Sequence, residues 1–333
     1  MTDYIEENTN LGSEEEVEAT GIDRRQFLTG SGVAAAALGI GLAAGASPAQ
    51  AQEAAGEGEF AGRCAFITGG ARGIGLATAE VLAQAGANIV IYDIAGPIEH
   101  VPYDMAAAEP PTNATATIEG YGVQCMAIQG DVRDGDLLKE SANQAVSEFG
   151  SLDFMFANAG ITQVGTLDVF NKDEIDVVLD INLGGVIKTV QAAIPIMREQ
   201  NSGRIILTAS YTGRRGEPFS PIYSSTKWGV VGLAKGTALL MGSHNVTCNA
   251  IAPSIVRTKL LDNPYFLNFV SPDNPSWEIF SNWTQETLHA LPVGSFDAIH
   301  VANVVRFLCS DAAALISGDV FDIGAGVNAT YTA

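Results

Sequence analysis

The stretch CAFITGGARGIGLATAEVLAQAGANIVIYD, Cys64 to Asp93, constrains the fold more than any other part of this chain. An apolar run of strand length reaches Thr68, a glycine-rich turn opens a helical pattern, and a second apolar run ends at Asp93. Near-continuous apolar strands need cover on both faces, and a helix between two of them makes the pair parallel. Short apolar runs and helical patterns keep alternating down the chain. This predicts one doubly wound parallel sheet with helices on both faces, formed by residues 60–333. At 47% hydrophobic, a chain of this length can bury a substantial core.

The turn carries the first functional signal. Gly69, Gly73 and Gly75 leave room for backbone N–H groups to approach a pyrophosphate, and the helix N-terminus adds its partial positive charge. Arg72 and Ile74 lie in the same turn. Asp93, at the end of the second strand, is placed to accept hydrogen bonds from adenosine ribose hydroxyls and to repel a 2′-phosphate, which selects NAD over NADP. Arg72 is the contrary hint, because an arginine here can serve a 2′-phosphate. Taken together, these features describe a Rossmann-type cofactor domain.

The spacing Thr-Gly-x-x-x-Gly-x-Gly, Thr68 to Gly75, resembles the short-chain dehydrogenase/reductase family. GDVRD and ANAG follow in order, the latter resembling the family's Asn-Asn-Ala-Gly turn with Ala157 in place of the first Asn. The resemblance covers roughly residues 60 to 325 and implies that Asp131, Val132, Asn158 and Gly160 border the cofactor. It also implies a homotetramer, as in most relatives.

RIILTASYTGRRGEPFSPIYSSTKWGVVGLAKG carries the chemistry. Tyr223 and Lys227 stand four residues apart, on one face of a helix. A free tyrosine has a pKa near 10. A neighbouring ammonium and the positive nicotinamide ring of NAD⁺ both favour phenolate, which makes Tyr223 a proton acceptor for an alcohol losing hydride to the cofactor, and Tyr223 and Lys227 are both expected to contact the cofactor as well. The family pattern adds Ser210 as the partner of the substrate oxygen and Asn182, in LDINLGGV, as support for a water that relays protons through the lysine. Tyr211 lacks a lysine four residues on and is set aside.

NAIAPSIVRTKL departs from the family, which usually has Pro-Gly where this chain has Pro253-Ser254; Val256 and Thr258 match positions that hold the nicotinamide carboxamide. An insertion at about 95–112, rich in proline, starts where the adenosine ribose is expected, and reads either as a surface loop or as a flap over the cofactor. Residues 259–293 hold Leu260, Leu261, Tyr265, Phe266, Phe269, Trp277, Phe280 and Trp283, in a region that covers the substrate in this family. Such a lid implies a hydrophobic alcohol or ketone; a subunit contact is the competing use of the same aromatics. VPYDMA and LHALPVGSF resemble the carveol-dehydrogenase-like branch, associated with mycofactocin, a peptide-derived redox carrier, and with NAD that stays bound and is reoxidised in place.

The amino end reads differently. Arg24-Arg25-Gln26-Phe27-Leu28, an Ala/Gly-rich apolar run and Ala49-Gln50-Ala51 occur in the order of a twin-arginine signal with its cleavage site. Residues 1–51 are therefore assigned to an export signal and 52–59 to a linker, with periplasmic or other exported localisation expected. No other segment is expected to span a bilayer. Of the net charge of −21, the leader's eight acids and two arginines account for −6, leaving about −15 on the mature chain. So acidic a surface argues against nucleic acid or anionic membranes as partners. Cys64, Cys125, Cys248 and Cys309 are far apart and are expected as buried apolar side chains, with no metal site; His100, His244, His289 and His300 receive no role. Two alternatives stay open, an exported NAD-holding sensor without turnover and a cytoplasmic dehydrogenase with exchangeable NAD. The presence of Tyr223 and Lys227 speaks against the first.

Overall fold

The computed structural model describes residues 58–103 and 111–329. The signal at 1–51, most of the linker, and residues 104–110 of the insertion lie outside the described residues. Seven parallel strands form one sheet: β1 (Cys64–Thr68), β2 (Asn88–Asp93), β3 (Cys125–Gln129), β4 (Phe154–Ala157), β5 (Gly203–Thr208), β6 (Val246–Pro253) and β7 (Val320–Ile323). Their order is β3-β2-β1-β4-β5-β6-β7. The chain runs outward from β1 to β3, then returns to β4 on the other side of β1. This reversal leaves a crevice at the strands' carboxyl ends, the usual ligand position in open α/β sheets.

Each strand buries alternate residues on opposite faces. Phe66, Val90, Met155, Leu207 and Ala250 join one core, while Ile67, Ile91, Phe156, Ile206 and Ile251 join the other. The first core is covered by α3 (Gly135–Phe149), α4 (Lys172–Leu179), α5 (Val186–Gln200) and α6 (Pro221–Met241). The second lies under α1 (Gly73–Gln84), α2 (Pro111–Glu119) and α9 (Ala298–Cys309). Asp134 caps α3 by accepting from the Asp136 and Leu137 amides, and Asn171 and Glu174 cap α4 reciprocally. The 259–293 segment folds into α7 (Pro264–Val270) and α8 (Trp277–Thr287) around a small core of Ile255, Phe266, Leu267 and Phe280.

Three details differ from expectation. Glu59, assigned to the linker, belongs to the domain, where it pairs with Arg306 of α9. α4 and α5 run together through a π turn, Asp180–Gly185, into one helix long and apolar enough by composition to cross a membrane, contrary to the reading that no further segment is. More than half of its apolar window is buried inside the fold, so packing accounts for its character. Cys64, Cys248 and Cys309 are buried free thiols as expected, whereas Cys125 is only half-buried because β3 is an edge strand.

Candidate active site

The glycine turn is shaped by contact. Gly69 and Gly73 have φ of +65° and +55°, where a side chain is strained. A Cβ on Gly75 would sit 2.0 Å from the Gly69 carbonyl oxygen. Arg72 stands at the N-cap of α1 with no side-chain cap bond, and Arg72, Gly73 and Ile74 line the cavity. Asp93 lines the same cavity at the end of β2. One of its carboxylate oxygens accepts from the Ala71 amide at 3.1 Å and the other from the Ala95 amide at 3.0 Å, which ties the glycine turn to the start of the insertion.

The other expected cofactor residues surround the same cavity, of about 630 Å³, but several hold the protein itself together. The Asn158 side chain donates to the carbonyls of Thr68 (3.1 Å) and Gly69 (3.3 Å) and accepts from the Thr208 hydroxyl (3.3 Å), bracing the ends of β1, β4 and β5. Asp131 forms a forked ion pair with Arg133 at 2.8 and 2.6 Å. Burial works against its ionised form, yet the Arg133 hydrogen bonds win and hold the carboxyl below its ordinary range. Val132, Ile74, Gly160, Val256 and Thr258 line the cavity with Arg72.

Ser210, Tyr223, Lys227 and Asn182 converge near one end of the cavity. Ser210 caps the short turn Tyr211–Gly213 after β5, and its hydroxyl is the neighbour that favours phenolate at Tyr223. Burial pushes that phenol up to about 12, Ser210 opposing. The expected lowering is thus absent in the protein alone, because desolvation outweighs that one favourable neighbour. Lys227 lies one turn further along α6, 5.4 Å from the Tyr223 ring centroid, and donates to the Thr208 carbonyl at 2.8 Å. Burial lowers its ammonium to about 8. Asn182 sits fully buried in the π turn, its amide exchanging two 2.8 Å hydrogen bonds with the Ile161 backbone. A Cβ on Gly160 would lie 3.2 Å from Asn182 Oδ1 and 3.7 Å from Lys227 Nζ, so both groups crowd one point.

The apolar lobe beyond Tyr223 is lined by Leu260, Leu261, Phe266, Phe269, Phe280 and Trp283. Tyr265 and Trp277, expected with them, sit elsewhere. Trp277 carries the Arg257 guanidinium on its ring face. Tyr265 stacks on Tyr103 of the insertion, with ring centroids 5.8 Å apart, while the Tyr103 hydroxyl accepts from the Thr162 amide at 2.8 Å. Residues 94–103 therefore run as a strap from Asp93 to the lid, with Ile98 facing the cavity. Sequence reasoning missed Arg133, Tyr103 and the buried pair Ser254–His289. The Pro-Ser departure at 253–254 was the one signal for that pair.

Comparison with known proteins agrees with this geometry. Residues 63–264 match the short chain dehydrogenase family, and residues 21–41 match the twin-arginine translocation signal sequence. The chain is 35% identical to (-)-trans-carveol dehydrogenase of Rhodococcus erythropolis over 80% of its own length and 97% of the relative's. It resembles the crystal structure of carveol dehydrogenase from Mycobacterium avium in complex with NAD, with TM-score 0.78 and 35% identity over 81% of this chain and 99% of that one. A short chain dehydrogenase from Mycobacterium paratuberculosis bound to NAD is similar at TM-score 0.74 and 31% identity, over 82% of this chain and all of that one. On the family match and on this fold, the chain is an enzyme of the short-chain dehydrogenase/reductase family.

Proposed function

We propose that this protein oxidises a hydrophobic secondary alcohol to a ketone, or runs the reverse reaction, using NAD held in the crevice above β1, β2 and β4. The observation that carries the reading is the gathering of Ser210, Tyr223 and Lys227 on one cavity, with Asn182 beside the lysine and an apolar lobe next to them. The glycine turn, into which a Cβ would not fit at Gly75, and the inward-facing Asp93 suit a dinucleotide without a 2′-phosphate. When bound, NAD supplies the acceptor for the hydride of the carbinol carbon.

The protein's own part is proton transfer and positioning. Ser210 donates to the substrate oxygen and steadies charge there. Tyr223 takes the alcohol proton in oxidation and returns it in reduction. Lys227 places an ammonium beside the phenol, and Asn182 holds the Ile161 backbone, keeping the lysine's side of the site in register. Oxidation requires Tyr223 to lose its proton, so its rate is expected to rise with pH, by up to about tenfold per unit below the phenol's titration; reduction shows the opposite trend. Lys227→Met is expected to move the oxidation limb upward by about one unit. Initial rates across the neutral to alkaline range check this, and a flat profile in both directions overturns the assignment.

We further propose that NAD is retained through many turnovers beneath the 94–103 strap, anchored by Asp93 at one end and by Tyr103 at the other. The twin-arginine match at 21–41 supports export, a route that carries folded proteins. Export with NAD already in place would answer the lack of a soluble pool outside the cytoplasm, with an external redox carrier as the electron acceptor. Trp228, Leu239 and Leu240 stand exposed on α6 and suit burial in a homotetramer. Native mass spectrometry of the exported protein is expected to find a chain cleaved after Ala51 with close to one NAD per subunit. A nucleotide-free protein that turns over on added NAD would remove the retention.

A further inference from the structure

Ser254 directly follows β6 on the wall of the cavity, and its hydroxyl lies 2.8 Å from Nε2 of His289. Nδ1 of the same ring lies 2.7 Å from the Val293 carbonyl oxygen. Both side chains are buried. A carbonyl oxygen only accepts, so Nδ1 carries a proton in either charge state of the ring. In the neutral ring Nε2 is then an acceptor, and the Ser254 hydroxyl must donate to it. The Ser254 oxygen consequently meets the cavity with lone pairs alone. Protonation at Nε2 reverses this: the ring now donates to Ser254 Oγ, and the serine hydrogen must point elsewhere.

The ring is held in place on both sides. Phe296 donates its amide to the Ile255 carbonyl and accepts from the Arg257 amide, both at 3.1 Å, stitching the turn that follows His289 to the loop that follows Ser254. Ionisable groups on the surrounding elements are Glu278 and Glu286 on α8, Asp297 before α9 and His300 and Arg306 on it, Arg257, Lys259 and Asp262 in the loop after Ser254, and Asp322 on β7. Arg257 pairs with Asp262, Asp322 pairs with Arg214, and the Phe296 ring stands between His289 and His300. The described side-chain hydrogen bonds of His289 are those to Ser254 and Val293.

We propose that Ser254 and His289 are a positioning pair for the reacting end of the cavity. With His289 neutral, the Ser254 oxygen accepts a hydrogen bond from an N–H or O–H donor of the bound molecule, either the cofactor's carboxamide or the substrate's hydroxyl. A proton on Nε2 withdraws that acceptor. The inference rests on the functional reading above but concerns residues outside the Tyr-Lys-Ser-Asn set.

The test uses the mature protein loaded with NADH. The rate at which NADH leaves is read from protein-to-NADH energy transfer, and the alcohol KM is read at saturating NAD, both from about pH 8 to about pH 5.5. In the unaltered protein, NADH release or the alcohol KM is expected to rise about fivefold to tenfold on acidification. A response in release assigns the donor to the cofactor, and a response in KM assigns it to the substrate. Ser254→Ala, or Ser254→Gly should the first misfold, is expected to hold the acid value throughout. His289→Gln is expected to abolish the pH response. Flat profiles in the unaltered protein, or variants that keep its pH response, overturn the pair while leaving turnover intact. A protein that takes up no NADH overturns the pair and the functional reading together.

Discussion

Tyr223→Phe is expected to lower kcat by about 10³- to 10⁴-fold while NAD remains bound. The phenyl ring keeps its place against Lys227, whose own hydrogen bond runs to the Thr208 carbonyl and does not involve the phenol. What disappears is the phenol oxygen, the group proposed to exchange a proton with the substrate. The glycine turn, Asp93 and the strap, proposed to hold most of the cofactor, lie outside this substitution. Steady-state rates and nucleotide content of the same preparation separate the two effects. Residual activity above a few per cent would take the proton-transfer role away from Tyr223, and loss of NAD together with activity would assign it a binding role instead.

The elements most legible in the sequence are those whose signal is local. A parallel sheet follows from apolar runs spaced by helices, and Tyr223 and Lys227 meet because a helix brings residues four apart together. Less legible is whatever depends on chain segments far apart. Asn158 looks like a cofactor residue in its turn, yet its side chain is spent on Thr68 and Gly69, some ninety residues earlier. Asp131 likewise carries a forked bond to Arg133, which makes it a brace within its own loop. His289 formed no cluster with the other histidines along the chain; its partner is a serine 35 residues away, in a different element. The insertion could be located but not aimed. Only the stacking of Tyr103 on Tyr265 shows that it crosses from the cofactor side to the lid. Burial of Tyr223 could not be read either, so its phenol was expected to be more acidic than the surrounding protein alone makes it.

Asp93→Ala is expected to shift the NAD/NADP preference by about 10²-fold or more toward NADP. A carboxylate and a phosphate charge about 4 Å apart repel by ~4 kcal/mol at the effective dielectric near a protein surface, and that is ample for two orders of magnitude in selectivity. Removing the carboxylate leaves Arg72, on the same cavity wall, to meet a 2′-phosphate. The substitution has a second consequence because of how Asp93 is bound. It frees the Ala71 and Ala95 amides, loosening the glycine turn and the root of the strap together, so kcat/KM for NAD should fall about tenfold and bound NAD should exchange faster. Asp93→Asn separates the two causes. It discharges the group while keeping one carbonyl oxygen for an amide, so it should recover much of the retention but not the discrimination. Parallel kcat/KM measurements with both cofactors decide the matter, and an unchanged ratio in both variants would leave selection to some group other than Asp93.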